Sequence, residues 1–201
     1  MMSNTLLESV VKKNRARLIP FMLALYVLAF LDRSNIGFAK ETYQLDTGLS
    51  NEAYALGAGI FFVVYAFLGV PANLLMRTFG ARRWIGCTTL LWGVLSAAMA
   101  WADTEAKFLL VRTLLGAAEA GFFPGMIYLT SQWFPQQNRA SIMGLFYMGA
   151  PLALTLGSPL SGALLEMHGF MGHPGWFWMF VIEGLLAVGA GVFTFFWLDD
   201  T

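Results

Sequence analysis

Residues 28–40 read LAFLDRSNIGFAK, and the fold turns on how this stretch is understood. An almost unbroken apolar run from Leu18 to Phe30 continues straight into Asp32 and Arg33, then returns to Ile36, Gly37 and Phe38. On the surface of a soluble helix a charged pair is ordinary. In a helix of membrane length each charge costs a few kcal/mol near the centre, so adjacent charges there mark a pathway or a buried pair.

Composition separates the two cases. Hydrophobic residues fill 58% of the 201 positions and charged residues only 12%, against about 25% charged in a typical soluble domain. Mean hydropathy is +0.64. Most of the surface must therefore face something other than water. The 12 basic residues balance the 12 acidic ones, which excludes nucleic-acid binding by bulk charge. The single cysteine, Cys87, can form neither an internal disulfide nor a cysteine metal site. His168 and His173 stand in the turn-rich segment HGFMGHPG with no third ligand nearby and read as loop histidines.

A helix needs about 20 residues to cross the hydrocarbon core. Six stretches qualify: Leu18–Ala39, Ala53–Met76, Trp84–Trp101, Lys107–Ser131, Ser141–Leu165 and Trp176–Leu198. This predicts an all-α membrane protein with a basic N-terminal segment over 1–17, a six-helix bundle over 18–198, and the start of a cytoplasmic loop over 199–201. Trp84, Trp101, Trp133, Trp176, Trp178 and Trp197 cluster at span ends, where indole rings sit among headgroups. The first span is too long for a typical signal-peptide core, lacks a small-residue cleavage site, and is followed by five more spans. Lys12, Lys13, Arg15, Arg17, Arg77, Arg82, Arg83 and Arg139 fall on one side, and only Lys40 and Lys107 on the other. The positive-inside rule then places both termini in the cytoplasm.

Five ionisable residues lie inside the spans: Asp32, Arg33, Arg112, Glu119 and Glu183. At about 1.5 Å per residue, Asp32 and Arg33 lie roughly 10 Å from the outer end of the first helix. Arg112 and Glu183 have similar depth, and Glu119 lies deeper. Arg112, Gly116 and Glu119 follow i, i+4, i+7 spacing and share one helix face. Three carboxyls and two guanidiniums carry net charge −1 when fully ionised. Protonating a carboxyl would free an arginine to grip a carboxylate with two prongs, coupling proton uptake to anion binding. The competing reading is permanent ion pairing that only holds helices together. A membrane enzyme is disfavoured, because the spans hold no Ser/His/Asp set, HExxH motif or cysteine–histidine cluster.

LDRSN (31–35), VRTLLGAAEAGFFPG (111–125) and GWFWMFVIEG (175–184) together resemble the anion:cation symporter branch of the major facilitator superfamily, and are similar to its bacterial sugar-acid carriers, L-rhamnonate transporters among them. The resemblance implies the N-terminal half of a twelve-helix fold, built as two inverted three-helix repeats, with a further six-helix half as partner. GIFFVVYAFLGVP and GLFYMGAP, which open the second and fifth helices alike, fit such a repeat. The resemblance also implies that Arg33 grips the substrate carboxylate and Tyr65 contributes to the pocket. By the same likeness Asp32 and Glu119 titrate protons, and Arg112 with Gly116 forms a coupling element. The gating motif after the second helix corresponds to Gly69, Asn73, Arg77, Gly80, Arg82 and Arg83, but GVPANLLMRTFGARR lacks the aspartate that usually centres it. The expected activity is proton-driven symport of an aldonate such as L-rhamnonate across a bacterial inner membrane, without a cofactor. Its partners would be protons, a small organic anion and the lipid bilayer, and residues 1–201 alone would not transport. An anion exchanger or facilitator without proton coupling is the alternative.

Overall fold

The computed structural model describes residues 4–199, and every regular element among them is helical. The helices are α1 (Asn4–Thr47), α2 (Asn51–Phe79), α3 (Ala81–Ala98), α4 (Glu105–Glu119), α5 (Phe122–Trp133), α6 (Gln136–Tyr147), α7 (Gly149–Leu165) and α8 (Gly175–Trp197). They make six stretches long and apolar enough to cross a membrane: Glu8–Thr47, Asn51–Phe79, Ala81–Trp101, Glu105–Trp133, Gln136–Leu165 and Gly175–Trp197. The six expected spans are all present, and α1 extends well beyond Leu18 through the basic N-terminal segment.

Two spans that read as continuous helices are broken. The fourth divides into α4 and α5 around Ala120–Gly121, and the fifth into α6 and α7 at Met148. Pro124 and Pro151 explain both breaks. A proline has no N–H for the carbonyl four residues earlier, here Ala120 and Tyr147, and its ring pushes that carbonyl aside. Pro20, Pro71 and Pro159 remain inside helices. Between α2 and α3 the chain turns on Gly80 at φ 80°, a conformation that costs glycine little and other residues more. Ser50 and Thr104 cap α2 and α4 by accepting from the backbone N–H groups of Ala53 and Lys107, which satisfies donors that a helix start leaves open.

The packing carries a two-fold pattern. The dominant contacts are α3 with α8, α2 with α4, α1 with α7, α1 with α8, and α3 with α4. Exchange the first span for the fourth, the second for the fifth and the third for the sixth. The α2–α4 contact then becomes α7–α1, α1–α8 becomes α4–α3, and α3–α8 maps onto itself. Two inverted three-helix repeats produce this set.

Glycine sets how closely the repeats approach. A Cβ on Gly184 would lie 2.7 Å from the carbonyl oxygen of Gly93, and one on Gly93 would lie 2.8 Å from that of Gly184, so α3 and α8 touch backbone to backbone. Gly116 on α4 plays the same part against α2: a Cβ there would meet the Phe61 carbonyl oxygen at 2.5 Å.

The buried apolar residues fall into two clusters stacked along the helix axes. One contains Met22, Leu25, Ala29, Leu115, Ala118 and Ala187. The other contains Ile36, Ala39, Phe108, Phe177 and Phe180. Along α1, α4 and α8 the two clusters leave a gap, and Asp32, Arg112 and Glu183 occupy it. The outward faces of α2, α7 and α8 expose Phe67, Val70, Leu156 and Phe196, surfaces suited to lipid or to another apolar helix layer rather than to water.

Gly116→Leu should force α4 off α2 and destabilise the bundle by about 2 kcal/mol or more, as overpacking does. Gly59→Leu, which has open space around it inside α2, should not destabilise the bundle, since Leu is the better helix former. Thermal melts of detergent-solubilised protein read the difference, and equal melting of both variants would contradict the α2–α4 packing.

Candidate functional site

The gap between the two apolar layers holds a connected set of charges. Arg33 reaches from α1 to α4, where its Nε donates to Glu119 Oε2 at 2.8 Å. Glu119 is fully buried, whereas the Arg33 side chain keeps 17% of its surface exposed, so the arginine is the open member of the pair. Three aromatic rings surround its guanidinium, with centroids at 4.8 Å (Tyr65), 5.6 Å (Phe30) and 5.9 Å (Phe61). Each face attracts the cation through its quadrupole. Its Nη2 is buried and makes no hydrogen bond among the described residues. An arginine with one nitrogen held and another unpartnered is arranged to receive a second anionic oxygen.

Asp32, the neighbour of Arg33 on α1, reaches α3. It accepts a hydrogen bond from the Ser96 hydroxyl of α3 and lies within hydrogen-bonding reach of the Glu119 carboxyl. Asp32 Oδ2 and Glu119 Oε1 have no other donor among the described residues. Two carboxylates cannot donate to each other, so their contact is favourable only with one proton between them. The site can thus take a proton where Asp32 meets Glu119, and an anion where Arg33 opens.

Arg112 completes the layer from α4. Its Nε donates to the Gly57 carbonyl of α2 at 3.1 Å, and its guanidinium lies 4.5 Å from the Phe61 ring. The buried Phe61 ring therefore contacts both arginines, and Gly116 allows α4 to come close enough for this. Arg112, Gly116 and Glu119 share the inward face of α4, as their spacing predicts. The Pro124 break directly follows Glu119, which stands as the last residue of α4.

Asp32, Arg33, Tyr65, Arg112 and Glu119 thus converge in one cluster. The loop-motif residues do not join it. Arg77 stands twelve residues beyond Tyr65 on α2, about 18 Å away along the axis. Asn73 and Arg77 line a cavity of about 220 Å³ with Pro124, Ile127, Tyr128 and Ser131 of α5, while Arg83 is exposed on the first turn of α3 and Gly80 forms the turn itself. Arg82 is partly buried beside it, and Gly69 lies partly buried on α2. At the same end of the bundle Arg17 pairs with Asp199 at 2.8 Å and donates to the Trp197 carbonyl, tying α1 to the end of α8.

Sequence reasoning missed three contributors. Phe30 and Phe61 were visible only as apolar residues, although they stand three positions before Arg33 and four before Tyr65, the spacing that shares a helix face. Ser96 gives no signal in sequence, being one small polar residue in an apolar helix.

The model of the Major Facilitator Superfamily matches residues 22–201. The Escherichia coli (strain K12) inner membrane transport protein RhmT is 92% identical over 200 residues, covering 100% of this chain and 47% of that protein. A putative tartrate transporter of Agrobacterium vitis is 49% identical over 199 residues, covering 99% of this chain and 46% of its own length. The chain spans about half the length of the curated relatives it matches. Among solved structures, the inward-facing, occupied form of a bacterial homolog of the human lysosomal transporter Spinster superposes with a TM-score of 0.85 at 20% identity, covering 92% of this chain and 44% of that one. With the family model matching nearly the whole chain over a six-span, two-repeat fold, this protein belongs to the Major Facilitator Superfamily, a family of membrane transporters rather than enzymes.

Proposed function

We propose that the chain works as the first half of a proton-coupled symporter for a sugar acid, an aldonate such as L-rhamnonate, in a bacterial inner membrane with its N-terminus in the cytoplasm. The observation that carries this reading is the Arg33–Glu119 pair, because it joins a partly open cation to a buried carboxyl. While Glu119 is ionised it holds Arg33. A proton taken up where Asp32 meets Glu119 weakens that hold, and Arg33 turns its guanidinium to a substrate carboxylate. Tyr65, with its ring against Arg33, offers its hydroxyl to the sugar-acid hydroxyls. Arg112 keeps positive charge beside the carboxyls. Proton and anion then enter together, since each stabilises the state that admits the other.

An organic acid as cargo is also supported by the relatives named as putative tartrate transporters, and an inner-membrane location by the Escherichia coli relative's name. A second six-helix half would close the pocket over Arg33. The cytoplasmic N-terminus rests on the lysine and arginine bias, with Arg17, Arg77 and Arg83 at one end of the bundle.

In proteoliposomes holding the whole transporter, an imposed pH gradient should drive accumulation of the sugar acid. Losing the charged hydrogen bonds of Arg33 is worth about 1.5–3 kcal/mol, so Arg33→Ala should raise KM by tenfold or more. Glu119→Gln should keep substrate counterflow and lose pH-driven accumulation. Parental uptake by Arg33→Ala, or uptake indifferent to pH in the parent, would overturn the proposal. The second outcome would favour an exchanger or facilitator.

Orientation has its own check. In a Cys87→Ser background, Glu52→Cys in intact cells should react with an impermeant maleimide, and Arg83→Cys only after permeabilisation. The opposite pattern would invert the topology.

A further inference from the structure

One buried carboxyl takes no part in the scheme above. Glu183 stands in the middle of α8, 4% exposed, in the polar layer but on the side of α1 away from Arg33's contact with Glu119. Ser161 of α7 donates to its Oε1 at 3.4 Å. The Asn35 carboxamide of α1 lies beside it, with no hydrogen bond made between the two in this structure. Asn35 and Ser161 are both completely buried. Asn35 Nδ2, Asn35 Oδ1 and Glu183 Oε2 make no hydrogen bond among the described residues.

The charges around Glu183 are few. Helix α7 carries no ionisable residue, and Glu183 is the only one in α8. Helix α3, packed on α8, has only Arg82 and Arg83 in its first turn. From α1 the nearest charge is Asp32, of the same sign, while Arg33 is turned to Glu119. An ionised Glu183 would stand in the membrane interior beside a second carboxyl with no cation to pair with, which is costly. An uncharged acid satisfies every group present. Its hydroxyl would donate to Asn35 Oδ1 and the Asn35 amide would donate back to Glu183 Oε1, the oxygen that already accepts from Ser161 and has two lone pairs. All three unpartnered atoms are used in this ring of two hydrogen bonds.

We propose that Glu183 is a positioning residue that works as an uncharged acid. Paired with Asn35 and anchored by Ser161, it fixes the rotation of α1 against α7 and α8. Asn35 lies one turn beyond Asp32 on the same face of α1. Its hold therefore sets where Asp32 meets Ser96 and Glu119, and on which side Arg33 opens. This rests on the reading of Asp32 and Arg33 as transport residues.

The test uses the whole transporter in proteoliposomes. Glutamine preserves the two-bond pairing with Asn35 and carries no charge. Glu183→Gln should therefore keep uptake within about twofold of the parent, with the same KM and the same pH profile. Glu183→Ala should raise KM for the anion at least tenfold and displace the pH profile of uptake. Asn35→Ala should do the same, and the double variant should be no worse than either single one, as expected for one shared interaction. Glu183→Gln as impaired as Glu183→Ala would overturn the proposal, because the acid's own ionisation would then be in use. Parental KM and pH profile in Glu183→Ala would overturn it as well. If Glu183→Ala fails to reach the membrane, the Glu183→Gln and Asn35→Ala comparison decides alone. Failure of proton coupling in the parent is a separate outcome, because KM for the anion is read in every variant by counterflow without a pH gradient.

Discussion

The ion pair between Arg33 and Glu119 is the contact on which the rest depends. It joins α1 to α4, the lead helices of the two repeats, across 2.8 Å in the interior of the bundle. Neither charge would be tolerated there alone. The pair is also asymmetric, with the carboxyl sealed and the cation partly open. A symmetric buried pair would only hold helices together. The asymmetric one has an alternative partner available to the cation on its open side, and a second carboxyl, Asp32, beside the sealed one.

The surrounding architecture exists in relation to that layer. Two apolar clusters fill the bundle above and below, and Asp32, Arg112 and Glu183 stand where the clusters part, with Glu119 reached from there by Arg33. Gly116 brings α4 against Phe61, whose ring lies near both arginines, and Gly93 with Gly184 brings α3 against α8. The two-fold exchange of contacts places the lead helices opposite one another. Charges carried by α1 and by α4 therefore meet without either helix leaving its repeat. A helix break just past Glu119, forced by Pro124, lets the chain beyond it take its own direction.

Much of this was legible in LAFLDRSNIGFAK and its counterparts. Apolar runs of membrane length gave six spans in the right places, because hydropathy in lipid is a strong local constraint. The intramembrane charges declared themselves for the same reason, and the i, i+4, i+7 spacing put Arg112, Gly116 and Glu119 on one face. What lay beyond reach depends on which helix faces which. Ser96 and Ser161 are small polar residues that gain meaning only from Asp32 and Glu183 across an interface. Phe61 looked like one more apolar residue until α4 packed against it. Prolines stand in several spans, and only the chain geometry shows that Pro124 and Pro151 divide two of them into separate helices while Pro20, Pro71 and Pro159 do not. Asn35 in LDRSN gives little signal as an asparagine beside two charges, and gains meaning only from Glu183 on α8.

Proton and anion open the same ion pair from opposite ends, the proton by occupying the carboxyl and the anion by occupying the guanidinium, so that each favours the other. The most direct measurement is proton uptake on substrate binding, followed by a pH indicator with the purified whole transporter in lightly buffered detergent solution. The account predicts that adding the sugar acid makes the medium more alkaline in the parent and leaves it unchanged in Glu119→Gln. Anion binding by the parent with no proton taken up would contradict it.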